Sequence, residues 1–202
     1  VKEQNRVLRR HVIDGCQATN LPPSYKYERQ HGDQAQLIRW ITFNILVRNY
    51  DAHGKNISFF VGKNGLELTP FYDLVNIEAI IEQAGIDCAK GGSKLAISRH
   101  YAMSLGDYNS QGAGNFSNEI TAYMLADFAD EFDISLARMQ LLMSQTIQSV
   151  LAAITMAKAT AIANNLSNSE LEHIGLCINI INKAAGELSE QVGLLPSMKA
   201  FI

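Results

Sequence analysis

Cysteine is scarce in this sequence, which holds only Cys16, Cys88 and Cys177. They are too few and too scattered for a disulfide framework, and no Cys-x-x-Cys or Cys/His pair has the spacing of a zinc site. That argues against a disulfide-stapled secreted scaffold and predicts a reducing, cytoplasmic setting. Positive charge is not in excess either. Seventeen Lys and Arg against 20 Asp and Glu leave a formal net charge of -3, which supplies no general attraction to nucleic acid or anionic lipid, although it permits a local basic patch. Direct nucleic-acid or membrane binding is therefore not expected. No apolar run approaches the roughly 20 residues that span a bilayer, and the opening VKEQNRVLRRHVIDG has no apolar core of a signal peptide. Solenoid-period repeats and low-complexity linkers are missing as well.

The 202 residues, 47% of them hydrophobic, suffice for one well-buried domain, and 1–202 as a single domain is the simplest division. Residues 1–32 predict a short helix or strand and an irregular connection, because Pro22-Pro23 prohibits continuous helix. Asp33 with Gln36 resembles a capping box, and Leu37, Ile38, Trp40, Ile41, Ile45 and Leu46 recur at helical spacing, predicting a core helix over 34–48. From Leu74 to about Asn115, glycines at 85, 91, 92, 106, 112 and 114 predict a long irregular region with short helical pieces. The remainder is helical by period: about 117–131, then Ile134 to about Ala163, then a helix opened by Ser167-x-x-Glu170 and ending near Gly193. The expected class is mainly α with a small β-hairpin.

That hairpin is ISFFVGKNGLELTPFYD, two apolar runs around Asn64-Gly65, a dipeptide suited to a type I′ turn. If those two residues form the turn, Lys63 faces Leu66, Phe59 faces Pro70, Ile57 faces Tyr72, and Asn56 stands opposite Asp73. Directly facing side chains in an antiparallel pair have Cβ atoms roughly 4.5–5.5 Å apart, so an amide oxygen and a carboxylate there can share one cation. Magnesium prefers such hard oxygen ligands, few from protein and the rest from water and substrate phosphates. A slip of one residue in register would separate the pair.

Between the core helix and the hairpin lies NYDAHGKN, residues 49–56, with Asp51 five positions before Asn56. Protein kinases use that spacing in the catalytic loop, where the Asp accepts the substrate hydroxyl proton, the Asn binds metal, and a later Asp binds metal too. Asp51, Asn56 and Asp73 occur in that order. Phosphoryl transfer consists mostly of positioning and charge neutralisation, so one base and two metal ligands on a rigid turn are the main parts such a lobe must supply.

The segments CQATNLPPSYKYE (16–28), NYDAHGKNISFF (49–60), LTPFYDL (68–74) and SKLAIS (93–98) resemble the C-terminal lobe of the HipA family of toxin serine/threonine kinases. The likeness spans most of the chain and is clearest between about 9 and 105. It implies a protein-kinase-like large lobe, ATP and magnesium, a serine of a protein substrate, and a DNA-binding antitoxin partner of the HipB type. In the best-studied members the target is glutamyl-tRNA synthetase, an aminoacyl-tRNA synthetase. Motif for motif, the resemblance implies Asp51 as catalytic base, Asn56 and Asp73 as magnesium ligands, and His53 and Lys55 beside the phosphates. The N-terminal lobe that covers ATP is expected outside these residues, in a longer protein or on a partner chain; the first residue, Val1, fits a piece of something longer. GGSK at 91–94 lacks Walker spacing and is no substitute. Asp73-Leu74-Val75 replaces a literal Asp-Phe-Gly, a departure that family members of this type share.

Plainer readings stand beside these. Asp and Asn before a strand are commonly turn formers, His53 can be a structural histidine, Lys55 an ordinary exposed lysine, and Asp73 the end of a strand. Tyr25, Lys26 and Tyr27 read as a packed aromatic edge, residues 85–114 as either a substrate loop or a connection, and the C-terminal helices as scaffold. Two rival functions follow: a non-catalytic kinase-like lobe serving as a protein-interaction module, and, with less support from the spacing, a metal-dependent hydrolase built on Asp51, His53 and Asp73.

Overall fold

The computed structural model describes residues 11–14, 30–63, 65–89, 99–102, 105 and 119–202. Segments 16–28 and 93–98, Asn64, and most of the glycine-studded stretch lie outside the described residues, and with them Tyr25, Lys26 and Tyr27.

A small sheet and a helical block make up the described chain. Strands β1 (His11–Asp14), β2 (Ser58–Gly62) and β3 (Gly65–Leu68) form an antiparallel sheet in the order β1-β2-β3. The helices are α1 (Gln30–Leu46), α2 (Ile77–Ala89), α3 (Ala122–Glu131), α4 (Leu136–Ala163) and α5 (Asn168–Leu194), followed by a 3₁₀ segment at Leu195–Ala200. Helix α1 packs against α4 and α5, which pack along each other, and the core between them holds Ile38, Leu46, Leu125, Met139, Met143, Ile147 and Leu195. The mainly helical class with a small hairpin is as the sequence predicts. Two differences stand out: α1 begins at Gln30, ahead of Asp33, and α2 is a 13-residue helix where irregular chain with short helical pieces was expected.

Caps fix the helix ends. Ser135 Oγ accepts the Arg138 N–H at the start of α4, and Ser167 with Glu170 forms the predicted capping box at the start of α5. Helix α1 ends in a Schellman motif: Asn49 N donates to Asn44 O (2.9 Å) and Arg48 N to Ile45 O (3.2 Å). Its left-handed residue is Arg48, at φ 52°. Glycine usually fills that position, and a β-carbon there costs roughly 1–2 kcal/mol. Asp133 and Asn165, both at φ 52°, make similar reversals after α3 and α4 with residue types that tolerate the conformation.

Helix α4 is the one described helix that by length and composition is apolar enough to cross a membrane, although Gln140, Ser144, Gln145, Gln148 and Ser149 interrupt its apolar positions. Length and composition do not make it a span. Its Met139, Leu142, Met143, Ile147 and Val150 are buried in the protein core.

The hairpin register differs from the predicted one. Gly62 pairs with Gly65, Val61 with Leu66 and Phe59 with Leu68, two residues away from the expected alignment. Lys63 and Asn64 fall between the paired glycines, and Gly65 takes its positive φ of 102° directly after them. The glycine therefore serves as the left-handed residue that follows a connection, as in a turn with a G1 bulge, rather than as the second turn residue. A two-residue shift preserves which face each side chain points to, so the alternation survives while the facing partners change.

Candidate active site

The loop 49–56 joins α1 to β2 and is held from beneath by its own first residue. Asn49 is buried, and its Nδ2 donates to Asn44 Oδ1 (2.8 Å) on α1 and to the main-chain oxygen of Asp73 (2.9 Å). Asn44 in turn donates to Trp40 O. A polar ladder thus runs from the helix interior through the loop to the coil after the hairpin. Burying these amides is tolerable only because each finds a partner.

Asn56 ends a single 3₁₀ turn, Gly54–Asn56, and is 3% exposed. Its N–H donates to His53 O (2.8 Å), its side-chain oxygen accepts the His53 N–H (2.9 Å), and its amide nitrogen donates to the Asp73 carboxylate. The expected meeting of Asn56 with Asp73 therefore occurs, but strand register does not produce it. The ladder runs as far as Thr69 N to Ser58 O (2.9 Å), and continuing that alignment would set Asn56 opposite Phe71. Instead the chain leaves the ladder at Pro70, and Asp73 turns back with φ 56°. Tyr72 fixes this path by donating its hydroxyl to Lys55 O and accepting from Ser58 Oγ (2.8 Å). Phe71 rests against Trp40 with ring centroids 6.5 Å apart. Aspartate is among the residue types that tolerate this left-handed conformation, and the contacts of Tyr72 and Asn49 hold the reversal in place.

Asp51 is exposed at the turn before the 3₁₀ segment, while its neighbours Tyr50 and Ala52 are buried. The site thus offers solvent a carboxylate on an anchored backbone. Lys55 is exposed too, and its carbonyl, rather than its ammonium, is the group engaged by Tyr72. His53 is half-buried, with its Nδ1 out of contact with solvent and unpartnered among the described residues. The five residues predicted from the sequence therefore lie on one loop and the coil strapped to it.

Asn56 and Asp73 carry oxygen atoms of the kind a hard cation prefers, but the Asn56 amide turns its nitrogen to the Asp73 carboxylate and its oxygen to the His53 N–H. The Asn56 oxygen uses one of two lone pairs on the His53 N–H, and Asp73, exposed, engages one carboxylate oxygen with the amide. Among the described residues no three His, Cys, Asp or Glu side chains group as a metal cage.

Sequence reasoning passed over the supports. Behind the loop, the Tyr50 hydroxyl donates to Glu78 Oε2 (2.8 Å) on α2, and Arg99 pairs with Glu78 at 3.0 Å. Ala102 N donates to Tyr50 O (2.8 Å), and the Tyr50 and Tyr101 rings meet edge-on at 5.1 Å. Arg48, buried, reaches the Tyr101 hydroxyl (3.5 Å) and forms an ion pair with Glu187 on α5. Burial disfavours that guanidinium charge, but Tyr101, Tyr50 and Glu187 outweigh it and raise its pKa above the ordinary value. Burial also raises the Tyr101 pKa, against the pull of Arg48. Of these residues Arg48, Tyr50, Glu78 and Glu187 border a cavity of about 540 Å³, lined also by Glu119 and Lys183. It lies behind the loop, and Asp51, Asn56 and Asp73 are not in its lining. Of these supports Tyr50 falls inside a quoted motif; the contacts among them join residues 21 to 139 apart along the chain.

Comparison with known proteins shows the family and the fold. The model of the HipA-like C-terminal domain matches residues 2–157. The serine/threonine-protein kinase toxin HipA of Shewanella oneidensis is 36% identical over 104 residues, covering 37% of this chain and 24% of that protein. Y4mE of Sinorhizobium fredii is 29% identical over 132 residues, covering 56% of this chain and 30% of its own. A solved complex of HipA, HipB and operator DNA from Shewanella oneidensis contains a chain that superposes with a TM-score of 0.73 at 23% identity, over 98% of this chain and 48% of that one. The described fold is thus shared with HipA, and the chain spans less than a third of the curated relatives and about half of the solved chain. This chain belongs to the family of the HipA-like C-terminal domain.

Proposed function

We propose that this chain is the large lobe of a HipA-like protein serine/threonine kinase, acting in a toxin–antitoxin system. The observation that carries the reading is the strapping of Asp73 onto the 49–56 loop through Asn49 and Asn56, on the same loop that leaves Asp51 exposed. In this reading Asp51 orients the substrate hydroxyl and accepts its proton, a role that calls for an accessible carboxylate on a fixed backbone. Asn56 and Asp73 would hold magnesium, which when bound neutralises phosphate charge. His53 and Lys55 face the nucleotide phosphates, Lys55 as a point charge. ATP is completed by a small lobe beyond these residues. The partners are a protein substrate, an aminoacyl-tRNA synthetase by family likeness, and a HipB-type DNA-binding antitoxin, as in the HipA–HipB–operator complex. The setting is cytoplasmic.

The second reading, a kinase-like lobe that only binds a regulatory partner, is favoured by the exposure of Asp51, Lys55 and Asp73 at the surface. Thermal denaturation of the full-length protein separates the two. A rise in Tm with ATP that requires magnesium and is lost in Asp73→Ala is expected of the kinase. No rise with ATP at saturating magnesium is expected of the interaction module.

A further inference from the structure

We infer that Arg48 is a positioning residue for the loop carrying Asp51, acting through Glu187 of α5 and Tyr101. This rests on the kinase reading of that loop. Three facts meet at Arg48. It occupies the left-handed position that ends α1, where glycine would be free of strain, so its side chain must justify the residue. It is 9% exposed, yet carries a full charge, which an interior tolerates only with partners. Those partners come from distant parts of the chain: Glu187 lies 139 residues away, and Tyr101, 53 residues away, also bonds Ile45 O at 3.4 Å.

The arrangement ties three elements at one point. Helix α1 ends there, the loop begins there, and α5 supplies the counter-charge. The segment 99–102 joins through Tyr101 and through Ala102 N to Tyr50 O. Only one bond further along the loop stands Asp51. A guanidinium with a forked donor pattern can bridge a phenol oxygen and a carboxylate at once, which an ammonium matches poorly. Glycine at 48 would satisfy the backbone and delete the tether, so the two roles can be separated.

The test uses the full-length protein with Arg48→Gly, Arg48→Lys and Asp51→Ala. The readouts are steady-state phosphoryl transfer and amide hydrogen exchange at Asn49, Ala52 and Ala102. Misplacing a reacting group by about 1 Å can cost on the order of 100-fold, so Arg48→Gly should lower kcat by about tenfold or more. KM for ATP should change less than about threefold, and exchange at those amides should quicken while residues 38–46 in α1 keep their protection. Arg48→Lys should recover part of the lost kcat. Parental kcat in Arg48→Gly, with Asp51→Ala inactive, overturns the inference. So does unchanged exchange in Arg48→Gly, whatever Asp51→Ala does. If Asp51→Ala transfers phosphate at the parental rate, the catalytic reading of the loop fails, and quickened exchange still upholds the tether. Should Arg48→Gly not fold, Arg48→Lys decides: parental kcat and exchange overturn the proposal, and reduced kcat with quickened exchange supports it.

Discussion

Asn56 holds two things at once: the start of its own 3₁₀ turn, through the His53 N–H, and the Asp73 carboxylate, through its amide. Asn56→Ala therefore removes the partners of the half-buried His53 N–H and of the exposed Asp73 carboxylate, and should destabilise the full-length protein by about 1 kcal/mol in denaturant unfolding, as well as abolishing the magnesium-dependent effect of ATP. Asp51 is different. It is exposed, and among the described residues no hydrogen bond from its side chain secures the loop, so its removal should change stability by no more than about 0.5 kcal/mol. Tyr101 makes a pH prediction. Burial raises its folded pKa above the ordinary value near 10, so its protonated form favours folding below that pH, and the contribution is lost as pH rises through the raised value. Unfolding free energy measured between pH 9 and 12 should fall less steeply in Tyr101→Phe than in the parent. At this scale the sequence was legible in the meeting of Asn56 with Asp73, although not in the register expected to produce it. It was silent on Arg48 and Glu187, because a pair 139 residues apart has no local pattern.

Among the elements, the helices were the most readable, since apolar periodicity and caps are local properties. Ser167-x-x-Glu170 marks the start of α5 where expected, and α4 ends at Ala163 as its pattern predicts. Ser135→Ala should remove the cap of α4 and lower stability by about 1 kcal/mol, read as a shift in urea midpoint. The hairpin was legible as an element but not in its register, because Asn-Gly fits more than one turn. The residue that decides is Gly65: with φ 102°, Gly65→Ala should destabilise by about 1 kcal/mol or more, whereas Gly62→Ala, lacking that conformation, should be milder. Helix α2 was missed because Gly85 within it and the glycines from 91 onward obscured a helix that finishes at Ala89.

For the whole molecule, the helical block acts as a platform and the sheet with its trailing coil as the frame of an open site. Helices α1, α4 and α5 supply the buried core, and α1 delivers the loop at its C-terminal end, with Asn44 and Asn49 carrying the polar ladder out to Asp73. In the kinase reading such a platform serves catalysis only when a second body covers the nucleotide. The central claim is that the Asp51 loop performs phosphoryl transfer. The direct measurement is transfer of labelled γ-phosphate from ATP to protein hydroxyl by the full-length protein and by Asp51→Ala, at matched folding. Loss of a positioned base predicts a rate lower by about 10²–10⁴-fold with an unchanged Tm. Transfer by Asp51→Ala at the parental rate would contradict the account.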